Sequence, residues 1–208
     1  MSAAVTIAAL PTAALALLVL LRTGLGGRLV AVPTGERWHD HTTPTFGGVG
    51  IVAGLLVGVG LAVAVGAVEP TRELGGILLG VVILFAAGLA DDLYGLPPLA
   101  KLGAQFAAAG IAIASGLTVE IVGSNWIALP LAFVWLVGIT NAFNLLDNMD
   151  GLAATLATVA CLYFAIDAAS ADSSDLVLVL ALSLGFACAG FLPFNLRRDG
   201  RALAFMGD

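Results

Sequence analysis

Charge is what this sequence has least of. Only 11% of its 208 residues are Asp, Glu, Lys or Arg, against 60% apolar residues. Soluble domains carry about a quarter charged residues, so a water-soluble globule is excluded. Basic clusters are absent and the net charge is −6, which leaves no electrostatic footprint for nucleic acid. Cysteine is limited to Cys161 and Cys188, both inside apolar runs. That removes a disulfide framework or thiolate metal site and leaves two buried small hydrophobes. No basic residue precedes the first hydrophobic run and Arg22 follows it, the reverse of a secretory signal. The run reads as an uncleaved first helix with its N-terminus outside.

What the sequence has is length without charge. Runs free of Asp, Glu, Lys and Arg cover 1–21, 41–68, 74–90, 102–119, 121–146, 151–166 and 176–196. Most reach the roughly 20 residues that cross a bilayer core. The composition therefore predicts an all-α fold, a polytopic integral membrane bundle of about seven transmembrane helices in one domain spanning 1–208. With the first helix running inward, Arg22, Arg28, Arg37, Lys101, Arg197, Arg198 and Arg201 fall on the cytoplasmic side and only Arg72 outside, as the positive-inside rule requires. Gly50, Gly54 and Gly58 repeat at four-residue spacing, which permits close approach of a neighbouring helix within the monomer or, as the alternative, a homodimer seam. The β-branched stretch at 118–125 reads as a short outer strand.

Under this topology every dense polar stretch lies on the cytoplasmic face: "ERWHDHTTPTFGG" (36–48), "ADDLYGLPPLAKLGAQ" (90–105), "NAFNLLDNMDGL" (141–152) and "FLPFNLRRDGRALAFMGD" (191–208). Desolvation explains why charges avoid the bilayer centre, but not why like charges adjoin. Asp91 repels Asp92, and Asp147 and Asp150 stand three residues apart. A divalent cation resolves that repulsion, and hard oxygen ligands suit Mg²⁺ or Mn²⁺ rather than Zn²⁺. Taken singly, each feature has a plainer use. The aspartate pair can stop a helix, Asn144 can cap one, His39 and His41 can be solvated loop residues, and Pro97–Pro98 can open helix four. Their convergence on one face favours a site.

Together, "HDHTTPTFGG", "DDLYGLPPLAKL", "NAFNLLDNMDGLA" and "FLPFNLRRDGRALAFMGD" resemble the polyprenyl-phosphate N-acetylhexosamine-1-phosphate transferases, glycosyltransferase family 4. This group includes phospho-N-acetylmuramoyl-pentapeptide transferase and the N-acetylglucosamine-1-phosphate transferases. The resemblance covers residue 33 to the end. It implies a bundle of about ten helices in the cell membrane with a cytoplasmic active site. It also implies a Mg²⁺-dependent reaction in which a polyprenyl phosphate attacks a UDP-sugar, releasing UMP and leaving a lipid-linked pyrophosphoryl sugar. The partners implied are a UDP-sugar, an undecaprenyl or decaprenyl phosphate and the bilayer.

Carried over by motif, Asn144 and Asp208 match metal-contacting positions. Asp91 matches the carboxylate that deprotonates or positions the lipid phosphate. Asp92 supports the phosphate–metal region, and Asp147 and Asp150 complete the catalytic carboxylates. Lys101 matches a lysine on the phosphates, Asn148, Met149 and Asp150 the uracil stretch, and Phe205 an aromatic that stacks on uracil. His39 and Thr43 fall in the first-loop substrate motif, whose "P…R…H…TP…GG" pattern favours an N-acetylglucosamine-type donor. Two departures stand out: Asn148 replaces a frequent Gly, and the family's later histidine-containing loop has no counterpart. The chain is thus expected to be the N-terminal part of a longer enzyme and to turn over poorly by itself. The rival readings are an intramembrane aspartate-rich prenyltransferase and a non-enzymatic transporter or scaffold piece. The prenyltransferase does not account for "TPTFGG" or "FMGD", and the helix middles lack the polar residues a transporter would place there.

Overall fold

The computed structural model describes residues 2–24, 30–31, 43–117, 125–170, 174–196 and 202–208. A 3-10 turn at Ser2–Ala8 leads into α1 (Ala9–Thr23). There follow α2 (Gly47–Ala64), α3 (Arg72–Tyr94), α4 (Pro98–Ser115), α5 (Asn125–Leu146), α6 (Leu152–Ser170) and α7 (Asp175–Asn195). Each uncharged run of the sequence forms the greater part of one helix, with charged residues such as Arg22, Asp91, Lys101 and Asp167 toward helix ends. The strand expected at 118–125 falls outside the described residues up to 124, and Asn125 already begins α5. A two-residue antiparallel pair, β1 (Val30–Ala31) with β2 (Thr43–Pro44), sets Ala31 opposite Thr43.

Among the described residues six helical segments are long and apolar enough to cross a membrane, starting with Ala3–Thr23; α4 is not among them. The reason lies in its composition. Lys101 and Gln105 occupy its first two turns, and small Ala and Gly residues fill much of the remainder, contributing little hydropathy per residue. The expectation of seven spans thus becomes seven helices, six with spanning character. At 23 residues, α3 is about 34 Å long, more than the hydrocarbon core of a bilayer.

Helix ends follow local chemistry. Thr71 Oγ1 accepts from Leu74 N at the start of α3, and Gly95, at φ 67°, ends that helix. Pro98 opens α4, where the missing N–H costs nothing. Ser174 accepts from Val177 N to cap α7.

Two compact units make up the chain: Met1–Glu69 with Asp147–Gly207, and Pro70–Leu146 with Asp208. In the first, α1, α2 and α7 pack around Ala9, Ala13, Leu17, Ile51, Ala187 and Phe191, and α6 lies against α7. The glycine repeat of α2 serves this packing. A Cβ at Gly54 would stand 2.7 Å from Ala9 O and 2.9 Å from the Ala187 Cβ, and one at Gly58 2.8 Å from Ser183 Oγ. Both cysteines are free and buried here, as their apolar settings imply.

The second unit is the antiparallel trio α3–α4–α5. At one end Arg72 Nη2 donates to Ala114 O at 2.9 Å, and Gly76 leaves room for the Ser115 side chain. Phe106 and Phe133 stack with ring centroids 5.8 Å apart, joining α4 to α5. Toward the other end, Gln105 and Asn141 form a two-way amide pair at 3.2 and 2.7 Å. This directional pairing sets the C-terminus of α3, the N-terminus of α4 and the C-terminus of α5 on one side.

Candidate active site

On that side of the trio the charged residues meet. Asp91 lies in the last turn of α3, where its Oδ1 accepts from Leu96 N at 2.7 Å and its Oδ2 from Lys101 Nζ at 2.8 Å. Lys101 is the only lysine in the chain. Its ammonium also donates to Asp208 Oδ2, a residue 107 positions away. Asp208 in turn donates its backbone N–H to both oxygens of Asp92, at 3.4 and 3.3 Å. Asp208 reaches α3 because Gly88 has no side chain: a Cβ there would run into the Asp208 carbonyl. Lys101 lies outside the six spanning segments. Burial lowers its pKa, but hydrogen bonds to Asp208 and Asp91 and the charges of those carboxylates outweigh burial and raise it. The ammonium stays charged.

A cavity lies further along α4. Gln105 lies one turn beyond Lys101 and lines this cavity of about 190 Å³, which is otherwise almost wholly apolar, bounded by Val81 and Leu84 of α3, Ala108 and Ala112 of α4, and Leu136 of α5.

The first unit gathers a different set. Asp147–Asp150 form the turn between α5 and α6, with Asn148 and Met149 exposed and Asp147 and Asp150 half-buried. Gly151 closes the turn at φ 74°, where a Cβ would also stand 2.9 Å from the Leu196 Cβ. Thr43 is buried in β2. Half-buried Phe205 donates its N–H to Pro44 O at 2.7 Å and accepts from Gly47 N at 2.9 Å, while Met206 O accepts from Gly48 N at 2.7 Å. The first N–H groups of α2, which lack intrahelical partners and have no side-chain cap, are thereby satisfied by the final segment. Gly47 permits this, since a Cβ would come within 2.6 Å of Phe205 O.

Of the residues singled out from sequence, the structure thus brings together Asp91, Asp92, Lys101 and Asp208. It sets Thr43 and Phe205 in neighbouring backbone segments and Asn148, Met149 and Asp150 in one turn. Asn144 is exposed near the end of α5. His39, like His41, lies outside the described residues. Among the described residues, no three His, Cys, Asp or Glu side chains are grouped as ligands for a metal ion; Asp91 and Asp208 share the Lys101 ammonium. The donor chemistry, carboxylate oxygens without imidazole or thiolate, fits a hard divalent cation. Four further residues organise the sites: Gly88, the paired Gln105 and Asn141, and Asn195. A polar residue closing an apolar helix, as Asn195 does, was the available signal for the last.

Helices that carry their polar chemistry at the ends and little in the middle define a polytopic membrane protein. The pattern of glycosyl transferase family 4 matches residues 74–208, and the chain belongs to that family. It is 45% identical over 85 residues to a probable undecaprenyl-phosphate N-acetylglucosaminyl 1-phosphate transferase of Bacillus subtilis (strain 168), covering 40% of this chain and 22% of the relative. It is 47% identical over 79 residues to a phospho-N-acetylmuramoyl-pentapeptide-transferase of Heliobacterium modesticaldum, covering 38% and 23%. The transferase of that name from Lacticaseibacillus paracasei shares 40% identity over 87 residues, covering 42% and 26%. The matched stretch spans about a quarter of the length of these curated relatives.

Proposed function

We propose that this protein transfers a sugar 1-phosphate, with an N-acetylhexosamine as the sugar, from a UDP-sugar to a polyprenyl phosphate, releasing UMP and opening the assembly of a cell-envelope polysaccharide. The observation that carries this reading is the Lys101 ammonium between Asp91 and Asp208, one helical turn before Gln105 and the largely apolar cavity it lines, in a chain of glycosyl transferase family 4. Such a site suits an amphiphile with an anionic head and a hydrocarbon tail. Lys101, Gln105, Ala108 and Ala112 fall at helical spacings of four, three and four, so one face of α4 offers a cation, an amide and then an apolar floor. A lipid phosphate at Lys101 would lay its first isoprene units along that floor.

In the reaction, a phosphate oxygen of the lipid attacks the sugar-bearing β-phosphorus of the donor. The bond from that phosphorus to the oxygen bridging it to UMP breaks, and UMP leaves with the electron pair. No protein nucleophile is required; alignment and charge neutralisation lower the barrier. Asp91 receives or orients the proton of the lipid phosphate, and Lys101 contacts the phosphates as a point charge. Asp92, Asp208 and Asn144 would hold Mg²⁺ or Mn²⁺, which when bound neutralises developing phosphoryl charge. Asp147 and Asp150 border the donor site. Asn148, Met149, Asp150 and Phe205 take the uracil, and Thr43 and His39 the donor's remaining contacts. The first-loop pattern favours UDP-N-acetylglucosamine over the muramoyl-pentapeptide donor. The site faces the cytoplasm, and the N-terminus lies outside the cell membrane.

The test is UMP release in membranes containing the native gene product, supplied with polyprenyl phosphate, Mg²⁺ and either donor. Release with UDP-N-acetylglucosamine that stops on chelation supports the reading. Absence of release with both donors overturns it.

A further inference from the structure

Asn195 is the last residue of α7 and is only 2% exposed, one of four buried polar residues among those described. A buried amide costs free energy unless its oxygen and nitrogen are both paired. Here they are. Oδ1 accepts from Gly151 N, 44 residues upstream, and Nδ2 donates to Ala204 O at 3.0 Å, nine residues downstream. Phe194 extends the connection through its carbonyl, which accepts from Leu203 N at 2.7 Å. Gly151 ends the 147–150 turn, and Ala204 immediately precedes Phe205. One side chain therefore ties the two segments together, and its own oxygen and nitrogen are both engaged in doing so.

We infer that Asn195 is a positioning residue for nucleotide recognition: it sets the 147–150 turn and the Phe205 segment in register, so that edge contacts from the turn and the face of the aromatic ring can act on one base. This rests on the donor assignment proposed above. Because the amide acts on binding geometry rather than on the phosphoryl groups, its loss acts on donor KM before kcat. Asn195→Leu removes both hydrogen bonds and leaves a buried N–H and a buried C=O unpaired. Asn195→Ser is too short to reach both partners. Asn195→Gln keeps both functions on a longer arm, a partial rescue.

The experiment is steady-state UMP release by the native gene product and its variants, with thermal unfolding measured on the same preparations. Val179→Ala serves as the control, because Val179 is fully buried elsewhere in α7 and its truncation weakens packing without touching either segment. Asn195→Leu is expected to raise KM for the UDP-sugar about tenfold with kcat within about threefold, Asn195→Gln to recover part of the KM, and Val179→Ala to lower Tm with KM unchanged. An unchanged KM in Asn195→Leu, or a KM change that Val179→Ala reproduces at equal loss of Tm, overturns the inference while leaving the proposed reaction standing. No UMP release by the unmodified protein would instead remove the reaction and this inference with it.

Discussion

Lys101 Nζ lies 2.8 Å from Asp91 Oδ2 and also holds Asp208, so one ammonium ties the end of α3 to a residue 107 positions further along. Adjacent carboxylates need a counter-charge, and here the protein supplies one itself. The bridge should be required for turnover. Lys101→Met should lower kcat/KM by about 10²–10³, the usual loss when one preorganised charge-stabilising donor is removed. Arginine should restore little, because a planar fork does not reproduce a compact ammonium placed between two carboxylates. UMP release by the two variants, measured at saturating Mg²⁺, checks both statements.

Gly88 leads to a second prediction. Its missing side chain lets the Asp208 backbone lie against α3, one turn before Asp91 and Asp92. Gly88→Ala should displace Asp208 and lower turnover about a hundredfold, the scale of a 1 Å misplacement in a positioned site. Gly75→Ala, where a Cβ meets nothing within 4 Å, should leave turnover unchanged. Assaying the pair side by side separates displacement of Asp208 from a general effect of alanine in α3.

The helices were legible because a span must keep charge away from the bilayer centre, so each uncharged run marks the middle of one helix while charges such as Arg72, Asp91, Asp92 and Asp167 fall toward helix ends. The exception in spanning character, α4, follows from the same physics, since Lys101 and Gln105 occupy its first turns. Asp91 and Asp92 stood out because adjacent like charges in a nearly uncharged chain demand a reason, whereas Lys101 and Asp208 were reached only through the family resemblance. Gly88 was not legible, being one of 26 glycines in a helix type that accepts glycine freely. Asn195 was not either, because a polar residue at a helix end resembles an ordinary boundary until its partners, Gly151 and Ala204, are known. These contacts join segments far apart in sequence, and no local pattern encodes them.

Two glycines of α2 should behave in opposite ways. Gly54→Ala forces a Cβ against Ala9 O and the Ala187 methyl and should cost about 1–3 kcal/mol, as overpacking does. Gly60→Ala faces open space and should be neutral or slightly stabilising. Thermal unfolding in detergent distinguishes them, with Tm falling only for the first.

The two ends of α3 should label from opposite sides of the membrane. Native Cys161 and Cys188 are buried and give little background. Exposed positions 70 and 94 flank a helix long enough to cross the bilayer. Tyr94→Cys should react with an impermeant thiol reagent only after permeabilisation, and Pro70→Cys in intact cells. Reversed accessibility would move the Asp91–Lys101 cluster to the outer face, away from cytoplasmic UDP-sugars.

The central claim is that a sugar 1-phosphate, not a sugar, moves to the lipid. A UDP-N-acetylglucosamine labelled with radioactive phosphorus at the β position decides this directly, in membranes containing the native gene product, Mg²⁺ and polyprenyl phosphate. The account predicts that the label passes into the organic phase with the lipid while unlabelled UMP appears in the water in equal amount. Label left in the aqueous phase as UDP would mean transfer of the sugar alone, and would contradict the account.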